Sequence, residues 1–189
     1  MDLFLQIWGG SFYLLNKIFF ATAEGKPEAV KRRMKLTGWV VYILGVPAWV
    51  IILISKNNFI TAAIETGGVP SMFLGLLTVY YSDRPVNKAL DRFASLSMYL
   101  FIIVGMSYSL YEYGGLTAFT QFLELGTVVG FLAGSYLLAK DNRNGWLFFM
   151  LMNSCVAVLM FVQDKNLLCI QQILSLCFVV FGYTKSARK

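Results

Sequence analysis

Residues 145–184 have the sequence GWLFFMLMNSCVAVLMFVQDKNLLCIQQILSLCFVVFGYT, in which two apolar runs lie on either side of the polar turn Gln163–Asn166. Each run approaches the roughly 20 residues that a helix needs to cross the hydrocarbon core of a bilayer. Long apolar runs with short polar breaks continue from here to the beginning of the chain. The pattern predicts an all-α, polytopic membrane protein.

The composition excludes several classes of protein. Of the 189 residues, 58% are hydrophobic and 14% are charged, whereas soluble domains have about 25% charged residues. The chain contains no histidine, which disfavours enzymes that depend on an imidazole base or metal ligand. Cys155, Cys169 and Cys177 lack the C-x-x-C spacing of a metal or redox site. We therefore predict a membrane protein that is not an enzyme and needs no metal and no cofactor.

The polar breaks predict seven transmembrane helices with a defined orientation. The predicted spans are 3–23, 37–55, 59–81, 90–112, 117–139, 145–163 and 167–184. Thirteen of the 16 Lys and Arg residues lie in alternate breaks and in the C-terminal tail, and such residues are enriched on the cytoplasmic side. The N-terminus is therefore predicted outside and the C-terminus in the cytoplasm.

The net charge of +6 is explained by attraction of the cytoplasmic face to anionic lipids, so no nucleic-acid partner is predicted. The basic segment from Pro27 to Lys35 is predicted to form a short separate helix on the cytoplasmic leaflet, with Pro27 in its first turn.

Three sequence matches share one offset and indicate an internal repeat. Gly38-Trp39 matches Gly145-Trp146 at an offset of 107 residues, which also places Glu65 on Gln172 and Gly75 on Gly182. The predicted architecture is 3+1+3: a three-helix repeat at 1–81, a linker helix within 82–116 and a second three-helix repeat at 117–189. The two repeats are parallel because the linker helix restores the orientation. A chance match between apolar helices is the alternative.

The pattern Trp146-x-x-Phe149-x-x-x-Asn153, followed by Gly182-Tyr183 at the end of the last span, resembles the PnuC-type vitamin transporters. Phe149 stands where that family has a second tryptophan. The resemblance implies a 3+1+3 fold related to the SWEET transporters, with the substrate near the midplane between the repeats. It also implies facilitated passage of nicotinamide riboside or a thiamine-like solute across a bacterial inner membrane. The alternative is a non-transporting subunit of a larger membrane assembly, whose centre would be filled by Phe and Met side chains.

Polar and aromatic side chains within the spans are the candidate contacts to a solute, because uncompensated polar groups are costly at membrane depth. These are Glu65, Asn153, Gln171, Gln172, Trp39, Trp146, Phe149 and Glu124. Across the repeat axis we expect Glu65 to meet Gln172, and we expect Asn16 to be the partner of Glu124.

Each candidate has an alternative. Glu65 lies about 9 Å below the outer surface, where it also has access to water, to a backbone donor or to a tyrosine donor. Asn153 is suited either to a ligand or to bonding between helices. The two tryptophans are suited either to the interfacial belt or to stacking on a solute. Lys17 lies near enough to the cytoplasmic end of its span to extend its ammonium to the surface.

Gly45, Pro47, Gly68 and Pro70 interrupt the second and third spans and are predicted hinges for alternating access, because proline removes a backbone donor and kinks a helix. Packing alone is the alternative role. The predicted partners are the solute and the lipid bilayer; a homo-oligomer and a larger membrane complex both stay open.

Overall fold

A computed structural model describes residues 2–55, 58–82, 87–112 and 114–187, and this part of the chain is helical, with no strand. It contains eight helices: α1 Asp2–Ala23, α2 Glu28–Ser55, α3 Phe59–Gly67, α4 Val69–Tyr80, α5 Lys88–Glu112, α6 Phe119–Ala139, α7 Asn144–Val162 and α8 Asn166–Ser186. Since α3 and α4 follow each other through Gly68, they correspond to one predicted span.

Six segments of the described chain are long and apolar enough to cross a membrane. They are α2, the α3–α4 pair, α5, α6, α7 and the greater part of α8. The 22-residue helix α1 has the length but is not among the six; its polar residues Gln6, Asn16 and Lys17 lower its mean hydropathy. The predicted polytopic, all-helical class is confirmed, and the first of the seven predicted spans stays a prediction.

The basic stretch before the second span differs from its prediction. Residues 28–35 are not a separate helix on the leaflet, because α2 runs without interruption from Glu28 to Ser55. Pro27 precedes its first turn, and its carbonyl accepts hydrogen bonds from the Val30 and Lys31 N–H groups. The predicted turns at 56–58 and 83–85 lie outside the described residues except for Asn58, whose side chain caps α3 at the Thr61 N–H.

The helices pack in a regular order. α1 lies against α2 and α8, while α6 lies against α7 and α4. α5 contacts α3, α4 and α6, and Lys140 fastens it by donating to Asp91 at 2.9 Å. Large side chains such as Trp39, Trp146 and Tyr42 are buried in the interior of the bundle. Many Leu, Ile and Phe side chains are exposed on its outer surface. An apolar outer surface of this kind is suited to lipid.

Candidate functional site

The centre of the bundle is built around two aromatic side chains from different helices. Tyr42 of α2 lies three residues after Trp39, and Phe149 of α7 lies three residues after Trp146. Both rings are completely buried, and their centroids are 6.4 Å apart at an interplanar angle of 71°. The Tyr42 hydroxyl lies 3.2 Å from the Ser135 hydroxyl of α6, so side chains of three helices meet at this point.

A lysine ammonium lies between these two rings. Lys17 of α1 is 2% exposed, and its Nζ lies 3.4 Å from the centroid of Phe149 and 4.5 Å from that of Tyr42. It donates a hydrogen bond to Asn16 Oδ1 at 3.1 Å. The expectation that this ammonium extends to the surface is wrong: aromatic faces and an amide stabilise it inside the bundle instead.

A carboxylate lies on the other side of the same cluster. Tyr13 of α1 packs its ring edge-on against Tyr42, with centroids 5.0 Å apart, and its hydroxyl donates to Glu65 Oε2 at 2.7 Å. Glu65 is half-buried in α3. Of the alternatives predicted for Glu65, which were water, a backbone donor and a tyrosine donor, the structure gives the tyrosine. Lys17, Tyr42, Tyr13 and Glu65 thus form one continuous chain of contacts.

Asn153 is completely buried one turn after Phe149. Its Nδ2 donates to the Phe149 carbonyl of its own helix at 2.7 Å, and its Oδ1 has no hydrogen-bond partner. Among the described residues its only hydrogen bond therefore remains within α7. The prediction that Asn153 bonds neighbouring helices together is wrong for this conformation, and a buried acceptor stays available.

Both tryptophans point into the protein. Trp39 and Trp146 are each 2% exposed, so the interfacial-belt alternative is wrong for both. The Trp39 ring occupies the space beside Gly75, and the Trp146 ring occupies the space beside Gly182, where an added Cβ would lie 2.6 Å from its Cη2. Glycine is therefore needed at both positions, because any larger residue would clash with the neighbouring indole ring.

Three of the predicted residues are not part of the cluster. Gln171 donates to the Gly10 carbonyl of α1 at 2.6 Å and joins α8 to α1. Gln172 and Glu124 are half-buried. The expected meeting of Glu65 with Gln172 is wrong, since no hydrogen bond joins them in the described chain and Glu65 bonds to Tyr13.

The expectation that Asn16 is the partner of Glu124 is also wrong. Asn16 donates to the Gly38 carbonyl at 3.1 Å and accepts from Lys17, so its amide is used within α1 and α2.

The predicted hinge residues lie in different settings. Pro47 is exposed within the uninterrupted helix α2, and Gly45 is buried. Gly68 separates α3 from α4, and Pro70 lies in the first turn of α4.

Ion pairs close the end of the bundle that carries Lys31 and Lys35 of α2, which we call the basic end. Lys35 of α2 pairs with Glu24, which follows α1, at 3.2 Å and with Asp141 in the α6–α7 turn. Lys31 lies 3.7 Å from the same Glu24 carboxylate. Two small cavities of about 190 Å³ and 90 Å³ open beside this network, and Lys31 and Asp141 line both.

The sequence singled out only part of this arrangement. Nothing in the local sequence distinguishes Tyr13, Tyr42 and Ser135 from other residues of the helices. The 107-residue offset, which places Tyr42 on Phe149, is the one signal that could have indicated Tyr42. Within the described residues no three His, Cys, Asp or Glu side chains are placed to hold a metal ion.

The apolar helices and the polar groups enclosed between them define a polytopic membrane protein. Residues 28–188 match the sequence model of the nicotinamide mononucleotide transporter family. The chain therefore belongs to this PnuC-type family of membrane transporters; it is a transporter of a nicotinamide-related solute and not an enzyme. The matched region begins after α1, so it does not include Tyr13, Asn16 and Lys17. No curated protein and no solved structure matches the chain.

Proposed function

We propose that the protein facilitates passage of a small, polar, vitamin-like solute by alternating access. Nicotinamide riboside and thiamine-like compounds are the first candidates, and the aromatic cluster between α2 and α7 is the site through which they pass. The observation that carries the proposal is this cluster, because it places buried polar groups and aromatic rings packed edge to face where two sets of helices meet. Transporters built from internal repeats bind their substrates at such a place.

The helix packing supports two repeats related by a pseudo-twofold axis. In each proposed repeat the first helix packs on the second helix of its own repeat and on the third helix of the other, as α1 does on α2 and α8 and α6 does on α7 and α4. The pairs Trp39–Gly75 and Trp146–Gly182 occupy matching places. The proposed units are residues 1–81, 82–116 and 117–189, with α5 as the linker helix. In this arrangement α1 is the first of seven spans and joins the six that are long and apolar enough to cross a membrane.

Closure at one end supports alternating access. The ion pairs of Lys35 connect the first proposed repeat, through Glu24, to the second, through Asp141. With the N-terminus outside, these pairs lie on the cytoplasmic side of a bacterial inner membrane. Opening toward the cytoplasm then separates Lys35 from Asp141 while the helices of the first repeat bend at Gly45, Pro47, Gly68 and Pro70.

One observation favours a second candidate function. The space between the two rings is filled by Lys17, and Met72, Met98 and Phe131 pack in the surrounding core. A filled centre is also expected of a non-transporting subunit that keeps the fold within a larger assembly.

Binding to the purified protein separates the two candidates. The thermal stability of the protein in detergent is measured with nicotinamide riboside, thiamine, riboflavin, other nucleosides and simple sugars. A ligand at a hundredfold excess over its Kd stabilises the folded state by about 2.7 kcal/mol. We expect one vitamin-like compound to raise the Tm and to enter proteoliposomes, and we expect Asn153→Ala to abolish both effects.

Ser154→Ala is the matched control, because Ser154 is the next residue on α7 and is exposed. Folded protein that gives no shift with any compound and no uptake would contradict the transport proposal and favour the subunit.

A further inference from the structure

We infer that the larger cavity at the basic end is a binding site for a phosphate group, and that bound phosphate separates the ion pair between Lys35 and Asp141. The cavity has a volume of about 190 Å³, and neither Tyr42 nor Phe149 lines it, so it is distinct from the aromatic cluster. The effect on the ion pair rests on the proposed function, because it uses the two proposed repeats. The binding of phosphate does not depend on that function.

A buried ammonium without a hydrogen bond faces this cavity. Lys31, Arg32 and Lys35 line it from the first two turns of α2, and the Lys31 side chain is only 6% exposed. The nearest carboxylate oxygen, from Glu24, lies 3.7 Å from Lys31 Nζ, which is beyond hydrogen-bond distance. Lys31 Nζ donates to no described residue. Since an ammonium has three donors, this group has full capacity to bind an anion.

The other donors around the cavity suit phosphate oxygens. Arg32 donates to the Val79 carbonyl at 3.2 Å and to the Tyr80 carbonyl, which holds its guanidinium in place and leaves the remaining N–H groups for a ligand. The hydroxyls of Thr78 and Ser82 also line the cavity, and neither forms a hydrogen bond with a described residue. Guanidinium, ammonium and hydroxyl groups together are typical of phosphate sites.

The carboxylates around the cavity do not cancel its positive charge. Glu28 and Asp141 line it, but both are exposed, so water and salt screen their charges. Glu24 is buried, and its single negative charge is shared between Lys31 and Lys35. The buried side of the cavity is therefore positive. A phosphomonoester, which carries almost two negative charges at neutral pH, is the class of ligand that fits it.

The position of the donors determines what bound phosphate does to the ion pair. The three cations and Thr78 belong to the first proposed repeat, whereas Asp141 is the charged residue that the second repeat contributes to the cavity. Phosphate therefore attracts Lys35 and repels Asp141. It competes for the ammonium that joins the two repeats, so we expect it to open the basic end.

A matched pair of probes isolates the phosphate group. Glycerol 3-phosphate and glycerol differ only in that group, and the Kd of each is measured by calorimetry with the full chain in detergent and phosphate-free buffer. We expect glycerol 3-phosphate to bind and glycerol not to bind. Lys31→Met should weaken binding by about tenfold or more, because a donor to a charged group is lost, and Lys31→Arg should restore most of the affinity. Arg33→Met, at an exposed neighbouring position of α2, should change the Kd by less than about twofold.

A second comparison identifies the source of the phosphate group. Phosphatidate carries the same headgroup on a lipid, so the Kd of glycerol 3-phosphate is measured in nanodiscs with and without phosphatidate. An unchanged Kd indicates that the cavity takes a soluble phosphomonoester. Competition by phosphatidate indicates that it takes a lipid headgroup. Both results support a phosphate site.

The rate of maleimide labelling at position 186 measures the opening. Ser186 lines the smaller cavity, and Ser186→Cys is made in a chain without Cys155, Cys169 and Cys177. Saturating glycerol 3-phosphate should raise the labelling rate by about two- to fivefold, which is the effect of losing an ion pair at a solvent-accessible position. It should have no effect in the Lys31→Met protein.

The inference is overturned if glycerol 3-phosphate does not bind, if Lys31→Met and Arg33→Met change its Kd equally, or if the bound compound leaves the labelling rate unchanged. None of these measurements uses the vitamin-like solute, so the proposed function stands or fails separately in the uptake experiment. Should Lys31→Met not fold, Thr78→Val replaces it, because valine keeps the shape of the side chain and removes one donor. The expected loss of affinity is then about fivefold.

Discussion

At the scale of single residues, the position of Asn153 distinguishes a binding role from a structural one. A buried polar group without a partner destabilises a fold by about 1–3 kcal/mol, and Asn153 Oδ1 is such a group. Within the part of the chain that the structure describes, its one hydrogen bond runs to a carbonyl in its own helix. The residue therefore forms no hydrogen bond to another described helix, and contact with a solute is the role that we propose for it.

This explanation predicts opposite effects of Asn153→Leu on stability and on binding. Leucine has a similar volume and no polar group, so we expect the Tm to be unchanged or higher, by up to about 1–2 kcal/mol in unfolding free energy. Binding of the vitamin-like solute should be lost. Thermal unfolding with and without the solute measures both effects, and Ser154→Leu on the exposed face of α7 is the control. A large drop in Tm together with retained binding would contradict the prediction.

At the scale of helices, the break between α3 and α4 is the clearest candidate hinge. Gly68 is buried between the two helices and Pro70 lies in the first turn of α4. Pro47, in contrast, lies within an uninterrupted helix. Because proline cannot donate its backbone N–H, Pro47 removes a hydrogen bond from within α2, and Pro70 provides no hydrogen bond from α4 back across the break to α3. Both positions make bending less costly.

Replacing the prolines tests bending separately from binding. We expect Pro47→Ala and Pro70→Ala to slow uptake into proteoliposomes by about tenfold, which is the effect of a barrier raised by about 1.4 kcal/mol. The Kd of the solute should change little, since neither side chain is part of the aromatic cluster. Pro27→Ala, at an exposed position before α2, is the control. Uptake at the unaltered rate in both variants would show that the prolines serve packing alone.

The helices also show what the sequence can and cannot predict. The apolar runs predict the bounds of α7 and α8 within two residues, because the polar turn at Gln163–Asn166 separates the two helices. The start of α2 was misplaced because the apolar run ends where the charges begin, whereas the helix continues through Lys31 and Lys35. Hydropathy predicts which part of a helix lies in the lipid, and it does not predict how far the helix extends beyond the lipid.

The same limit applies to the site. Phe149 and Asn153 were predicted because their spacing resembles a known motif. The position of the Lys17 ammonium depends on a ring that α7 contributes from more than 100 residues away, and no local pattern on α1 contains that information. A tyrosine donor is among the alternatives predicted for Glu65, but the sequence does not indicate which tyrosine, since Tyr13 approaches it from another helix.

At the scale of the whole molecule, Lys35 holds the proposed repeats together at the basic end. Its ammonium is shared between Glu24 and Asp141, and its side chain is 14% exposed. The second carboxylate, Asp141, lies in the α6–α7 turn with a positive φ of 53° and contacts Lys35 of α2. The cavities beside this network would widen if the ion pairs separated.

Lys35→Met should therefore increase the fraction of molecules that are open at the basic end. Ser186 lines the smaller cavity, so a Ser186→Cys substitution in a chain without Cys155, Cys169 and Cys177 reports its accessibility. The Lys35–Asp141 pair is open to solvent at Asp141, whose side chain is 68% exposed, and an ion pair at a solvent-accessible position is worth about 0.5–1 kcal/mol. Its loss should thus raise the rate of maleimide labelling by about two- to fivefold. Lys26→Met, at an exposed position in the same basic region, should leave the rate unchanged. Equal labelling of the Lys35→Met and Lys26→Met proteins would mean that the ion pairs stabilise the fold without controlling access, and closure would then depend on the packing of α1 and α6 between the repeats.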